Sequence, residues 1–589
     1  MPKKIKRFVA DFETTTDPND CRVWAYGICE VGEPYGFQYG NNIEDFMKWC
    51  AGDENYIVSF HNAKFDLSFV LAYLNRNGFR HIVKGEEKES KTYETLISSM
   101  GAYYSLTVYF EVKGKKVNKV TFNDSMKIFN TSVDKLAKDF DLPCRKGSID
   151  YKAKREVGHI LTDEEVSYLQ NDVEIVARAL DIFYNTTGYK KLTLGSTALE
   201  MYKSMTKGFD RYFPVLDEET DKAIRKSYKG GFTYVNPKIQ GKLIKGTICC
   251  LDVNSLYPSR LVNCYLPYQE PVYFEGRYKE DKDYPLYTQR LICTFKIKPD
   301  KIPTIQIKHN MRFQSNLYLE WSGVEPVELT LTNVDLKLFF EHYDVEVLDY
   351  LDGHKFKACK GLFTNYITYW TEQKTKAKKE GNRSKYQISK MSQNSIYGKF
   401  AQAKSGCQKI PVFDSNGVMH YILGEEEDMK GLYLPVATWT TSYGRELTCA
   451  TSQKVREWSE KNLGYDAYCY SDTDSIYCNM TREQVEQFAK EAGVELDPYK
   501  LGAWDIEQDN ITRAIFLRQK CYIKEIDGKV CATVAGCPKA LSRLFNFNNF
   551  KVGFTTADFT KEEIGKDAKL RFKQVDGGVI LQETDFTIK

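Results

Sequence analysis

The stretch YSDTDS, Tyr470 to Ser475, constrains this chain more than any other. Asp472 and Asp474 stand one residue apart between flanks that alternate, Ala467 and Cys469 before them, Ile476 and Cys478 after. That pattern predicts two short strands joined by a turn, with both carboxylates at the tip. Carboxylates this close repel each other unless a cation lies between them, and small hard divalent ions prefer oxygen ligands. One such pair cannot hold two ions. The partner is Asp252 in CCLDVNSLYPS, which follows the apolar run Ile248 to Leu251 at the predicted end of another strand. Asp252 facing Asp474 would bracket two ions roughly 3.5–4 Å apart, an arrangement suited to in-line phosphoryl transfer.

A second group of acids lies near the amino terminus. The strand Ile5 to Phe12 runs into DFE, so Asp11 and Glu13 share a face; a solvated edge strand is the plain alternative. In SFHNAKFDLSF, His61, Asn62 and Asp66 interrupt an apolar stretch. In TDEEVSYLQNDVEIVARALDIF, Thr162 and Glu165 form a capping box, and Tyr168 and Asp172 are four apart on one helical face. Together Asp11, Glu13, Asp66 and Asp172 would bind two further divalent ions, with Tyr168 orienting an attacking water. Lys146 in RKGSIDY is a candidate for the scissile phosphate, although a lone lysine is ordinarily a solvated one.

The intervening chain supplies cations and turns. Gly230 and Gly231 in YKGGFTY permit close backbone approach to a phosphate. Tyr257 lies five residues beyond Asp252, placed to clash with a ribose 2′-hydroxyl or simply to fill core. Lys374, Lys376, Lys378 and Lys379 precede a break at Gly381; Arg383, Gln387, Lys390, Asn394 and Tyr397 then recur at helical spacing. A charge run is usually a solvated face, but this one ends in SQNSIYGKF, whose large apolar residues suggest a cleft wall. Lys374 and Lys390 suit a triphosphate. Thr441 and Arg445 in TTSYGRELT, and Arg518, Lys520 and Tyr522 in FLRQKCY, suit a nucleic-acid backbone. Residues 261–358 have a different texture, short apolar runs with Tyr and Pro, and read as an insertion with its own small core. Residues 403–430 read as a polar loop, and Gly577 to Lys589 as a GGV turn with a strand pair.

Net charge is only +3, so binding to nucleic acid must rest on these local clusters. The 16 cysteines include no CxxC pair, which argues against structural zinc or a disulfide framework and for a reducing compartment. The basic amino terminus is no signal peptide, and no apolar run reaches membrane-spanning length. The 40 tyrosines and 34 phenylalanines are chiefly core, with some available to stack on bases.

In order, DFE, HNAKFD, YLQND, YKGG, DVNSLYPS, KMSQNSIYGKF, TSYGR, YSDTDS and KCY resemble the motifs of the protein-primed family B DNA polymerases, replicative enzymes of small tailed phages with linear genomes. The resemblance spans essentially the full chain. It implies an α+β fold, an RNase H-like 3′–5′ exonuclease domain (1–187) followed by a right-hand polymerase. The palm would be 188–260 and 431–535, the fingers 359–402 and the thumb 536–589. Two insertions, 261–358 and the hairpin 403–430, would contact the priming protein and help encircle DNA. It further implies Asp252, Val253 and Asp474 as metal ligands, with Asp472 close by. Tyr257, Lys374, Lys390 and Tyr397 would bind nucleotide. Asp11, Glu13, Asp66 and Asp172 would be the exonuclease ligands, assisted by Tyr168 and Lys146. His61, Asn62, Phe65, Phe69, Ser125, Met126 and Tyr151 would contact single strands or terminal protein. Tyr228, Gly230, Gly231, Thr441, Arg445, Lys520 and Tyr522 would contact template–primer.

The expected cofactors are two Mg2+ or Mn2+ ions per site. The expected partners are DNA, dNTPs and a terminal protein. The expected form is a monomer in the host cytoplasm, with no membrane. Three positions depart from the family pattern: Ser148 replaces a residue that can be acidic, Tyr386 replaces a fingers lysine for which Lys385 or Arg383 would substitute, and Met126 replaces leucine. Two rivals compete with this reading: a nucleic-acid-primed family B polymerase, and a DNA-binding protein with dead active sites.

Overall fold

The computed structural model describes residues 5–52, 54–151, 153–306, 318–429, 431–565 and 569–589. The basic residues Lys3 and Lys4, and Lys430, lie outside them. The amino-terminal part is built on an eight-stranded sheet. Its strand Lys6–Thr14 is central, antiparallel to Val23–Glu30 and parallel to Tyr56–Phe60. Phe8, Val9, Ala10 and Phe12 are all buried, as a strand covered on both faces requires. Asp11 and Glu13 therefore do not sit on a solvated edge. Tyr56–Phe60 pairs in turn with Lys116–Asp124, and the turn after it leads into the helix Asp66–Arg76.

The helix Asp163–Thr187 covers this sheet. Thr162 and Glu165 make the reciprocal capping box, and Gly188 ends the helix in the left-handed conformation. Its apolar face, including Leu169, Val173, Val176 and Leu180, is buried.

The second body has a seven-stranded sheet. Ile244–Val253 lies between Trp504–Arg518 and Ser475–Cys478, antiparallel to both, and Tyr468–Asp472 completes the expected hairpin with Ser475–Cys478. The 30-residue helix Leu434–Leu463 runs beneath it. Thr448 donates to the Thr473 carbonyl at 2.7 Å, and Ser452 meets the Ser471 hydroxyl at 2.9 Å, so the acid turn rests on hydroxyls of this helix. Thr364–Lys379 and Arg383–Phe400 form the basic helical hairpin, whose Trp370, Ile388, Ile396 and Phe400 join the largest core cluster.

Residues 261–358 contain a four-stranded antiparallel sheet and the helix Asn333–His342. Leu291, Cys293, Phe295 and Phe339 give this segment a core of its own. It is not self-contained, however. Leu266, Leu286, Val334 and Phe356 pack into the main core.

Residues 403–430 contain a hairpin, Ser405–Phe413 with Met419–Asp428, rather than a loop. The chain ends in another, Lys569–Val575 with Gly578–Thr584. Both reach back to the amino-terminal sheet. Met419, Val579 and Ile580 belong to the same buried cluster as Phe12, Phe60 and Phe69, and the hydroxyls of Tyr103 and Tyr421 are hydrogen-bonded. At the tip of the last hairpin Arg76 pairs with Asp576 at 2.7 Å. Gly577, at φ +91°, would place a Cβ 2.2 Å from the Cys21 carbonyl, so only glycine fits there. All 16 cysteines are free thiols.

Candidate active sites

Strand register brings the polymerase-type acids together. Asp252 is paired with Ser475 on one side and with Asp505 on the other, so it lies beside the turn that carries Asp474. Thr473, between the two turn aspartates, has φ +62°, a conformation side chains other than glycine seldom adopt. It is pinned from both sides: its N–H donates to the Phe232 carbonyl at 2.7 Å and its own carbonyl accepts from Thr448. Val253 donates its N–H to the Asp474 carbonyl at 2.8 Å, which fixes the spacing of the two ligand-bearing segments.

The two turn acids differ in their partners. Asp472 accepts from the Tyr470 hydroxyl at 3.1 Å and from Thr473, with the Lys520 ammonium 3.6 Å away. Among the described residues, neither Asp252 nor Asp474 has a side-chain hydrogen-bond or ion-pair partner elsewhere in the chain. Burial, then Asp474, Glu507 and Asp505, raises Asp252 to about 7, with Lys390 opposing. Burial, with Asp472 close by, raises Asp474. Asp505 and Glu507 belong to no motif of the sequence. The alternation in WDIEQD was their only signal, and it reads as any half-exposed strand.

The cations and tyrosines close the other side. Lys374 lies 3.4 Å from the amide oxygen of the buried Gln393. Its pKa is lowered by burial and by the neighbouring ammonium of Lys390. Two ammonium groups that repel each other form a place for a polyanion. The rings of Tyr257 and Tyr397 stand 4.2 Å apart between centroids. Gly231 brings the YKGG loop against this assembly: a Cβ there would lie 2.8 Å from Thr473 and 2.9 Å from the Tyr257 hydroxyl.

In the amino-terminal body Glu13, Asp66 and Asp172 are buried, and Asp66 accepts from the Phe12 N–H at 3.2 Å. Burial and then Asp172 raise Asp11 to about 7; burial and then Asp11 raise both Glu13 and Asp66 well above the carboxylate range. The Lys146 ammonium is 2.5 Å from one Asp172 oxygen, while the other oxygen is buried with no hydrogen-bond partner among the described residues. The Tyr168 hydroxyl meets that of Tyr151 at 2.7 Å and is held neutral by burial and by Asp172.

Four mutually repelling carboxylates and one orphaned oxygen are a donor set that divalent cations satisfy. The acids of both sites fit such ions by this chemistry. Among the described residues, however, no three of them converge closely enough to enclose an ion as they stand.

Several residues expected to touch DNA face inward. Both ring nitrogens of His61 are engaged, by Ser125 at 2.9 Å and the Thr131 carbonyl at 2.6 Å. Ser125 is buried and also donates to the Phe60 carbonyl. Phe69 is buried against the last hairpin. Thr441 bonds to carbonyls of its own helix. Arg445 is 3% exposed; its guanidinium meets Asp335 at 2.6 Å and donates to the carbonyls of Lys229 and Gly230 at 2.7 and 2.8 Å. The polar groups of His61, Ser125, Thr441 and Arg445 thus already have protein partners, and the ring of Phe69 is packed in the core. Asn62 and Gly230 are exposed, and Phe65, Met126, Tyr228 and Tyr522 are half-buried.

The sequence matches the family described as DNA polymerase type B, organellar and viral, over residues 48–164 and 156–491. The chain belongs to this family. The polymerase is 41% identical to the DNA polymerase of Bacillus phage M2 over 604 residues, 99% of this chain and 100% of that one. Against the orthorhombic crystal form of phi29 DNA polymerase it has a TM-score of 0.89 at 38% identity, over 100% of both chains. The phi29 polymerase complexed with primer-template DNA and incoming nucleotide substrates gives 0.88 at the same identity and coverage. The structural likeness covers the whole chain. The architecture is thus an RNase H-like exonuclease-type domain followed by a right-hand polymerase with two insertions, and the protein is a phage-type DNA polymerase. Among the described residues, no helix of the polymerase is long and apolar enough to cross a membrane.

Proposed function

We propose that this polymerase copies a linear phage-type genome from a terminal protein that primes it, displaces the opposing strand, and trims mispaired 3′ ends at a separate site. The observation that carries the reading is the adjacent pair Asp252 and Asp474, without side-chain partners elsewhere among the described residues, with Lys390 acting on Asp252 and repelling the ammonium of Lys374. Its substrates are template–primer DNA and dNTPs; the phi29 relative is complexed with primer-template DNA and incoming nucleotide substrates. Asp252, Asp474 and the Val253 carbonyl would hold divalent ions at one site, and Asp11, Glu13, Asp66 and Asp172 at the other. When bound, Mg2+ or Mn2+ would acidify the attacking hydroxyl or water and neutralise the leaving group.

The chain's own residues do the rest. Lys374 and Lys390 hold the triphosphate and stabilise the charge that builds on it. Tyr257, whose ring is tilted 37° against that of Tyr397, closes the space a 2′-hydroxyl would need. At the trimming site Lys146 faces the scissile phosphate, and the Tyr168 hydroxyl orients water. The insertion within 261–358 and the hairpin within 403–430 support the protein-primed, strand-displacing reading over a nucleic-acid-primed one. The enzyme acts as a monomer in the host cytoplasm.

A primed single-stranded circle with four dNTPs and Mg2+, and no accessory protein, tests this. Products longer than the circle are expected, and none from Asp474→Ala. Normal incorporation by that variant would refute the assignment. Arrest at the duplex would remove strand displacement. Undiminished trimming by Asp11→Ala would remove the nuclease assignment, and failure to initiate on a cognate terminal protein would remove protein priming.

A further inference from the structure

Residues 143–161 join two helices and contain no helix or strand among the described residues. A connection of that length inside a folded body is either loose or anchored for a purpose. This one carries Lys146 and Tyr151, and it is anchored. One face of the helix Asp163–Thr187 meets it at three points, through Glu165, Tyr168 and Asp172, spaced three and four apart. Asp172 takes Lys146, and Tyr168 takes Tyr151.

The third contact lies at the amino-terminal end of the helix, made by an arginine still near enough to the cluster to favour the charged form of Glu13. Arg155 is 7% exposed, and its Nε donates to Glu165 Oε1 at 2.9 Å. Its Nη1 donates to the carbonyls of Asp150 and Ala153 at 2.8 and 3.1 Å, on either side of Tyr151. Its guanidinium also lies 4.1 Å from the ring centre of the buried Trp24. The other oxygen of Glu165 is used separately: it accepts from the Thr162 N–H at 3.0 Å and meets His159 Nε2 at 2.8 Å.

The capping box needs only that second oxygen. The first oxygen, and the fork of Arg155 beyond it, shape the loop around Tyr151. A buried ion pair adds little net stability over an apolar substitute, so its effect lies in the geometry it imposes. A hydrogen-bonded relay thus runs from Glu165 through Arg155 to the Asp150 carbonyl, and so to Tyr151 and the Tyr168 hydroxyl.

We propose that Arg155 and Glu165 are positioning residues for 3′-end removal, setting Tyr151 and Lys146 over the Asp11–Asp172 carboxylates. This rests on the nuclease half of the proposed function. The test uses the full chain, a labelled single-stranded oligonucleotide and Mg2+, under single-turnover conditions. Glu165→Gln keeps the size and a capping oxygen but cannot serve both partners. It should trim about tenfold more slowly, the usual cost of losing an outer support, while extending a primed template at the normal rate. If the effect passes through Tyr151, Glu165→Gln should cost less than about twofold in a Tyr151→Phe background.

Trimming by Glu165→Gln at the normal rate, or an equal loss in both backgrounds, overturns the proposal. Should Glu165→Gln fail to fold, Arg155→Lys, which keeps the charge but loses the fork, enters the same cycle. A wild-type chain that extends primers yet trims nothing would instead refute the nuclease reading, and this proposal with it.

Discussion

Gly231→Ala is the most demanding test of the polymerase site. A methyl group there would sit 2.8 Å from Thr473 Cγ2, 2.9 Å from its Oγ1 and 2.9 Å from the Tyr257 hydroxyl. Ordinary van der Waals contact begins about 0.6 Å further out. Thr473 cannot yield freely, since the Phe232 carbonyl and Thr448 hold its backbone from two sides. Tyr257 is backed by Tyr397 and by the helix at Gly444. Something must move, and both neighbours belong to the nucleotide site. Overpacking of this kind costs about 1–3 kcal/mol in stability. Displacement of the Asp472–Asp474 turn by a large fraction of an ångström should slow incorporation by about two orders of magnitude. Single-turnover addition of one dNTP to a primed template measures this, with trimming of a single strand as the internal control. Gly230→Ala, whose added carbon meets nothing within 4 Å, should leave the melting temperature unchanged. Wild-type incorporation by Gly231→Ala, or an equal loss of both activities, would refute the steric argument.

Three further outcomes follow from the same structure. Asp335→Asn should lower the urea-unfolding free energy by about 3–5 kcal/mol, because it leaves the buried Arg445 without its counter-charge; a change under about 1 kcal/mol would show the pair to be dispensable. Glu165 is held down to about 2, burial being outweighed by His159, Thr162 and Arg155. Its contribution is therefore complete above pH 4.5 and lost as pH falls toward 2, so Glu165→Gln should flatten the acid limb of a stability–pH curve. Asp11 and Asp252 are raised from 3.8 to about 7, so metal-free stability should fall as pH rises through that interval, and Mg2+ should raise the melting temperature more at pH 8 than at pH 5; an equal shift at both pH values would contradict the carboxylate cluster.

The acid turn was legible because alternation, two aspartates and an apolar strand ending in Asp252 are local patterns that force one geometry. The capping box at Thr162 and the break at Gly381 were legible for the same reason. What escaped was pairing at a distance. Arg445 reads as a surface cation in TSYGR, since its partner Asp335 lies 110 residues earlier in a segment of different texture. His61 looks available until the fold brings Thr131 to its far nitrogen. Asp505 joins the site only through a strand register that nothing in WDIEQD announces. Periodicity tells which face of an element is buried, but not what it will be buried against.

The last hairpin has a consequence for how the protein is made. Val579 and Ile580 complete the cluster formed by Phe8, Phe12 and Phe69, and Gly577 fits against Cys21. The first sheet is therefore a mould whose closing pieces lie more than 500 residues further along the chain. Until Val579 and Ile580 have been synthesised the nascent chain keeps an apolar seam open beside Phe12, and a product truncated before Gly577 cannot close it.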